Sequence, residues 1–255
     1  MMRTLLVVLT AVLLTPALGL LVIVAALLGL DHAAGGVFDW APRAWSRALL
    51  KAGGVKVHLH GAERMRSDRA QVYVANHMSW FDVFTLAAIL PRPKFIAKAE
   101  LGRIPLFGRA SRACGMIFID RDNRKAAFAG YEDAARRIKR GASIVVYPEG
   151  TRGREYTLRP FKKGPFVLAV ASGAPVIPTV LHGTREIFGR GSWRVRRGDV
   201  HVHFLEPIET AGMTYEERDQ LSRQAARQMS DLLEAEYGVP RPAERKGQPV
   251  EAASA

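Results

Sequence analysis

The stretch Gln71-Val72-Tyr73-Val74-Ala75-Asn76-His77-Met78-Ser79-Trp80-Phe81-Asp82 decides the fold. A short β-prone run ends at Asn76-His77 and hands over to an apolar, helix-like run over residues 81–90. The same alternation recurs along the chain. Further strands are expected at 55–59, 94–97, 116–119, 143–147, 176–181 and 200–205, and helices at 123–140, 161–172 and 215–237. Strands alternating with helices predict an α/β fold: a largely parallel or mixed central sheet flanked by helices. Pro178, inside the 176–181 run, predicts an edge or a bulge there, because proline cannot donate to a ladder.

Outward from this core, composition removes several classes. The chain has 255 residues, 48% hydrophobic and 24% charged, so it can bury a core without covalent staples. One cysteine, Cys114, excludes an internal disulfide, and no Cys/His cluster has zinc spacing. The net charge of +13 calls for an anionic partner. Residues 101–164 hold 15 Lys and Arg against 6 Asp and Glu, nine of that excess. No zinc-finger, RNP-like or basic-zipper layout accompanies the charge, so nucleic acid is not the expected partner.

The amino-terminal side reads differently. Residues 4–30 contain no charge and are long enough to cross a bilayer core. Pro16 in their middle would break a soluble helix but is tolerated in a membrane. The run outlasts a signal-peptide core and has no clean cleavage site, which favours a retained anchor. Residues 38–53 follow with Arg43, Arg47 and Lys51 at spacing four and with Trp40 and Trp45 on another face. That pattern suits a helix in the headgroup layer or one packed on the domain. Three regions are expected: a membrane-anchoring helical region 1–54, a catalytic domain 55–239 and a disordered tail 240–255. The anchor either crosses fully or turns back near Pro16, with Arg3 favouring return.

Four segments carry chemistry. In the first, a turn between His77 and Asp82 can bring carboxylate to imidazole, fixing the tautomer and leaving Nε2 as a base. Ser79 sits in no nucleophile elbow and reads as a helix cap. The second, Gly115-Met116-Ile117-Phe118-Ile119-Asp120-Arg121, delivers an arginine at a strand end. The third, Tyr147-Pro148-Glu149-Gly150-Thr151-Arg152, runs a strand into a tight loop where glycine admits a ligand and arginine can grip phosphate. The fourth is the apolar strand Val176-Ile177-Pro178-Thr179-Val180.

In this order, the four resemble the N-H-x-x-x-x-D, G-x-x-F-I-x-R, E-G-T-R and V-I-P motifs of the bacterial 1-acylglycerol-3-phosphate acyltransferases, members of the glycerolipid acyltransferase superfamily. Lys98-Ala99-Glu100 matches a further Lys-x-Glu element, and the likeness extends over residues 55–237. The resemblance implies transfer of an acyl group from acyl-CoA or acyl carrier protein to the 2-hydroxyl of lysophosphatidic acid, giving phosphatidic acid in phospholipid biosynthesis. His77 is then the general base, Asp82 its orienting partner, and Arg121 and Arg152 the phosphate ligands, with Lys98 as an additional cation. Glu149, Gly150 and Thr151 belong to the substrate loop, Glu149 contacting glycerol or holding an arginine. No metal or cofactor is implied. Membrane lipids are expected partners, and the domain is expected on the cytosolic side of the inner membrane. Other readings are a different lysolipid acceptor such as lyso-ornithine lipid, a membrane-anchored serine hydrolase using Ser79, and a basic lipid-binding scaffold.

Overall fold

The computed structural model describes residues 1–32, 35–120 and 124–242, the stretch 124–128 by its backbone alone. Arg121 and residues 243–255 of the expected tail lie outside the described residues. The elements follow in the order α1 (Met2–Leu27), α2 (Val37–Gly53), β1 (Val55–His60), β2 (Val72–Ala75), α3 (Trp80–Ile89), β3 (Lys94–Lys98), α4 (Phe107–Ala113), β4 (Ile117–Ile119), α5 (Arg124–Lys139), β5 (Ile144–Val146), α6 (Gly164–Ser172), β6 (Val176–His182), α7 (Thr184–Phe188), β7 (Gly198–Phe204) and α8 (Arg218–Tyr237).

The seven strands form one sheet in the order β1-β7-β6-β2-β5-β3-β4. Every neighbouring pair is parallel except β6 with β7. The two-residue period of a strand supplies two apolar faces. Val72 and Val74 pack with Phe166 and Leu221 on one side, while Tyr73 and Ala75 pack with Phe81 and Leu86 on the other. The central strands are therefore buried on both faces and read as continuous apolar runs. Because β2, β5 and β3 are adjacent and parallel, whatever follows each of them emerges at the same carboxyl edge.

Pro178 sits on a central strand, with β6 between β7 and β2, so of the edge and the bulge expected there it is the bulge that holds. The Pro178 carbonyl accepts from Leu205 N–H at 2.9 Å, so its peptide faces β7. The β6–β7 register begins only at Thr179 opposite Phe204. Antiparallel pairing resumes at Val176 opposite Ile208, one residue out of register, so the missing N–H falls at a bulge.

α1 is a single helix of 26 residues that passes through Pro16 without reversing. The chain turns back after Leu27 instead, and α2 returns along α1. Arg3 Nη1 donates to the Ala52 carbonyl at 3.4 Å and Trp45 Nε1 to Thr15 Oγ1 at 3.0 Å, while Phe38 packs with Val22 and Ala25. These contacts make α1 and α2 an antiparallel hairpin whose two open ends both rest on the sheet domain. Thr4 Oγ1 also accepts the N–H of Val195 at 2.9 Å. Only Gly19, Val22 and Ala25 of α1 are buried, and α1 is long and apolar enough to cross a membrane. In α2, Arg43 turns inward to Asp39 and the Ala88 carbonyl, whereas Arg47 and Lys51 remain exposed.

Candidate active site

The strand β2 runs into Asn76, whose side chain both donates to and accepts from the backbone of Leu181 on β6. That clamp holds the next residue, His77, at the sheet edge. Ser79 then caps α3: its Oγ accepts from Phe81 N–H at 3.1 Å, and the Asp82 carboxylate reaches back to Ser79 N–H at 2.7 Å. The capping box also brings Asp82 Oδ2 to His77 Nδ1, at 2.8 Å. Facing a carboxylate that can only accept, Nδ1 carries the proton and Nε2 is the free base. Asp82 is fully buried, while the imidazole keeps a 15% exposed side chain. The aromatic ring of Tyr147 stacks on the imidazole at 4.0 Å and 19°.

Ser79 has no nucleophilic role in this geometry. Its hydroxyl is buried and donates to the Phe188 carbonyl at 2.7 Å. Cys114 and His77 border a common cavity, but burial pushes the Cys114 thiol up to about 11, so it is protonated at neutral pH.

The loop after β5 packs against the His77 turn. Gly150 adopts φ +79°, a conformation that disfavours a side chain. Gly153 N–H donates to the His77 carbonyl at 2.7 Å, joining the two loops. Glu149 is buried: its Oε1 accepts from His77 N–H at 3.1 Å, and its Oε2 accepts from Arg159 Nε at 3.1 Å. Of the two roles open to Glu149 in the sequence, the structure places it where it holds an arginine, and that arginine is Arg159. Arg152 lies over the Trp80 ring at 5.4 Å, and burial and Arg190 together lower its pKa. Thr151 lends its carbonyl to Arg159. Lys98, at the end of β3, pairs with Glu100 at 2.7 Å and stays half exposed.

His77, Lys98, Gly150, Thr151 and Arg152 all border one cavity of about 540 Å³. Its remaining wall is mainly apolar and comes largely from α1, α2, α3, β3 and α4, including Leu18, Val22, Trp45, Phe84, Phe95 and Ala110. The structure thus brings most of the expected site together at one mouth, Arg121 lying outside the described residues. Sequence reasoning missed Asn76 as a clamp, Arg159, Trp80 and the Tyr147 stack. The alternation of β5 marked Tyr147 only as a strand end, and no spacing rule connects Glu149 to Arg159.

A histidine paired with a buried carboxylate, lining a largely apolar cavity beside arginine, is an arrangement that can deprotonate an alcohol on a lipid. Residues 56–182 match the Acyltransferase family, and the chain belongs to that family. A 1-acyl-sn-glycerol-3-phosphate acyltransferase of Haemophilus influenzae is 33% identical over 192 residues, 74% of this chain and 78% of the relative. The chloroplast 1-acyl-sn-glycerol-3-phosphate acyltransferase BAT2 of Brassica napus is 37% identical over 155 residues, covering 60% of this chain. The chain spans about half the length of the plant relatives it matches, 45% of BAT2 and 53% of the Cocos nucifera protein. Among solved structures, the 1-acyl-sn-glycerophosphate (LPA) acyltransferase PlsC of Thermotoga maritima superposes with a TM-score of 0.74 at 26% identity, covering 90% of this chain and 94% of its own.

Proposed function

We propose that this protein acylates the 2-hydroxyl of 1-acyl-sn-glycerol 3-phosphate, with an acyl thioester as donor, to give phosphatidic acid. The observation that carries the reading is the His77–Asp82 pair, joined at 2.8 Å at the mouth of a cavity whose far wall is apolar. Nε2 of His77 takes the proton of the acceptor hydroxyl as its oxygen attacks the thioester carbonyl carbon. The C–O bond forms and a tetrahedral oxyanion develops. The C–S bond then breaks, and the leaving thiolate takes the proton back from the imidazolium. Asp82 holds the imidazole and balances its charge. A positioned base contributes about 10²–10⁴-fold, so substrate alignment and oxyanion stabilisation supply the remainder.

Arg152, and Arg121 by its place in the motif order, grip the acceptor phosphate, and Lys98 adds positive charge at the same mouth. Glu149 acts indirectly, through the His77 backbone and Arg159. The apolar cavity, within the roughly 300–1,000 Å³ range of ligand sites, takes a hydrocarbon chain. The donor is acyl-CoA or acyl carrier protein; both are acidic and suit the basic domain. Residues 1–54 anchor the protein, 55–239 form the catalytic domain and 240–255 the tail.

Location follows from the substrates. Acyl thioesters are cytosolic, so the catalytic domain faces the cytosol at the inner membrane. The α1–α2 hairpin, with both ends on the sheet domain, supports entry from that side and return to it. The deciding experiment is an acyl-transfer assay with acyl-CoA and acyl carrier protein donors against a panel of lysolipids. Preference for lysophosphatidic acid supports the proposal; preference for a phosphate-free acceptor such as lyso-ornithine lipid overturns the choice of substrate.

A further inference from the structure

Between α7 and β7 the chain reads Gly189-Arg190-Gly191-Ser192-Trp193-Arg194-Val195-Arg196-Arg197. The four arginines are exposed, and Trp193 is 64% exposed with the Arg194 guanidinium 5.3 Å above its ring. Among the described residues none of these four arginines has a carboxylate partner. The nearest acids along the chain are engaged elsewhere: Glu186 accepts from Tyr156 and pairs with Arg185, and Asp199 is bound by His58. A large indole left in water among unpaired cations has no use inside this fold.

The loop's position supplies one. Val195 N–H donates to Thr4 Oγ1 at 2.9 Å, fixing the loop beside the first turn of α1. Arg3 and Arg197 both border Gly54, which adds a fifth cation to the patch. The neighbouring flank of α1 is bare hydrocarbon, with Leu5 59%, Val8 50% and Leu9 47% exposed. Tryptophan flanked by arginine, next to an exposed apolar helix, is the chemistry of the bilayer interface, where indole sits at headgroup level and cations meet anionic phosphate.

We propose that residues 189–197 form a headgroup-binding element for anionic phospholipid, with Trp193 seated in the interfacial layer and Arg194, Arg196 and Arg197, joined by Arg3, on lipid phosphates. This rests on the reading of α1 as membrane-inserted. An acidic protein docked on the patch would stand where the bilayer must be if the Leu5–Val8 flank is buried in it. The loop also reaches the reaction site. Gly189 bridges to Ser79, and Arg190 Nη1 holds the Arg152 carbonyl at 3.2 Å. Seating the loop on headgroups therefore sets the cavity mouth at the depth of a lysolipid phosphate.

The test uses the full chain with vesicles of phosphatidylcholine alone and of phosphatidylcholine mixed with phosphatidylglycerol, read by co-sedimentation. A basic residue near an anionic surface changes partitioning by roughly five-fold. The variant carrying Arg194→Gln, Arg196→Gln and Arg197→Gln should thus bind mixed vesicles about ten- to a hundred-fold more weakly than the parent. On phosphatidylcholine alone the two should bind alike, and added salt should erase the difference on mixed vesicles. Trp193→Ala should weaken binding to both. A folded triple variant, judged by its thermal melt, that keeps the parent's preference for mixed vesicles overturns the loop assignment while leaving the anchor intact. A parent that binds neither vesicle overturns both. Unchanged vesicle preference with selective loss of transfer from acyl carrier protein overturns the lipid assignment and gives the patch to an acidic protein.

Discussion

Asp82 meets His77 through the same oxygen that caps α3. Oδ2 accepts from His77 Nδ1 at 2.8 Å, Met78 N–H at 2.6 Å and Ser79 N–H at 2.7 Å, and Oδ1 has no hydrogen-bond partner among the described residues. Orientation of the imidazole and the start of the helix are therefore one structural event. The two residues should separate on mutation. His77→Ala should lower turnover by about 10²–10⁴-fold with little change in thermal stability. Asp82→Asn should lower turnover comparably and also destabilise the fold by roughly 0.5–2 kcal/mol through the weakened cap. Steady-state kinetics with a thermal melt of each variant checks the pair; equal melting losses would separate Asp82 from the cap.

Arg152 reaches the cavity mouth from a loop and rests on Trp80. Arg152→Ala should raise the acceptor KM by about ten-fold or more, the loss of one charge-assisted contact. Arg152→Lys should restore only part of this, because an ammonium cannot reproduce the guanidinium fork. The measurement is KM for lysophosphatidic acid at saturating donor. A KM that does not move in either variant removes Arg152 from the acceptor site.

Glu149 presents the opposite case, a carboxylate within the motif whose bonds run to the protein itself. Glu149→Ala frees His77 N–H and leaves Arg159 without its ion pair. A loss of about 1–3 kcal/mol in stability is expected, together with reduced turnover from a displaced His77. Arg159→Ala should give a milder form of the same defect. Chemical denaturation beside kcat decides, and a Glu149→Ala protein of full stability with only a raised KM would instead make Glu149 a substrate ligand.

Ala110 lines the apolar wall from α4. Ala110→Phe should shorten the usable hydrocarbon space and lower kcat/KM for long-chain donors by at least about ten-fold relative to short ones. A panel of acyl-CoA lengths measures it. A uniform loss at every length would mean general damage to the fold rather than a filled chain site.

His203 on β7 supplies an acid-sensitive element away from the site. Burial and the facing His60, His201 and His182 lower its pKa to about 4, and it bonds the Tyr237 hydroxyl at 2.6 Å. Lys56, His58 and Asp199 lie further along the same strands, on the same face. Unfolded, histidine titrates near 6.5, so the unfolded chain binds more protons between these values. Stability is therefore full above about pH 6.5 and is lost as pH falls toward 4. The loss should reach about 1–3 kcal/mol, and His203→Gln should flatten it in melts recorded from pH 7 to 5.

Local chemistry was enough to read most elements. The β-prone runs around Val74, Val145 and Ile177 carry their own period, and Ser79 followed by Asp82 at the third helical position is a cap that depends only on neighbours in the chain. The His77–Asp82 contact was legible for the same reason, since one turn spans it. Pro178 left an edge and a bulge open because propensity describes a residue and not its place in a sheet: the strand is central, and the proline sits at the bulge between Thr179–Phe204 and Val176–Ile208. Pro16 likewise left two courses open, and the helix continues through it, as an apolar membrane helix can.

The alternation of strand and helix, the apolar amino-terminal helix, the positive charge and the pairing of His77 with Asp82 can all be read locally, because each is set by residues within a turn or two of one another. Which residues share the site depends instead on how the elements pack. The parallel order β2-β5-β3 brings His77, Arg152 and Lys98 to one edge from positions far apart in the chain. It likewise turns Glu149 onto Arg159 and closes the cavity with the α1–α2 hairpin. Those contacts depend on strand order and helix packing, which long-range burial selects and which no local pattern encodes.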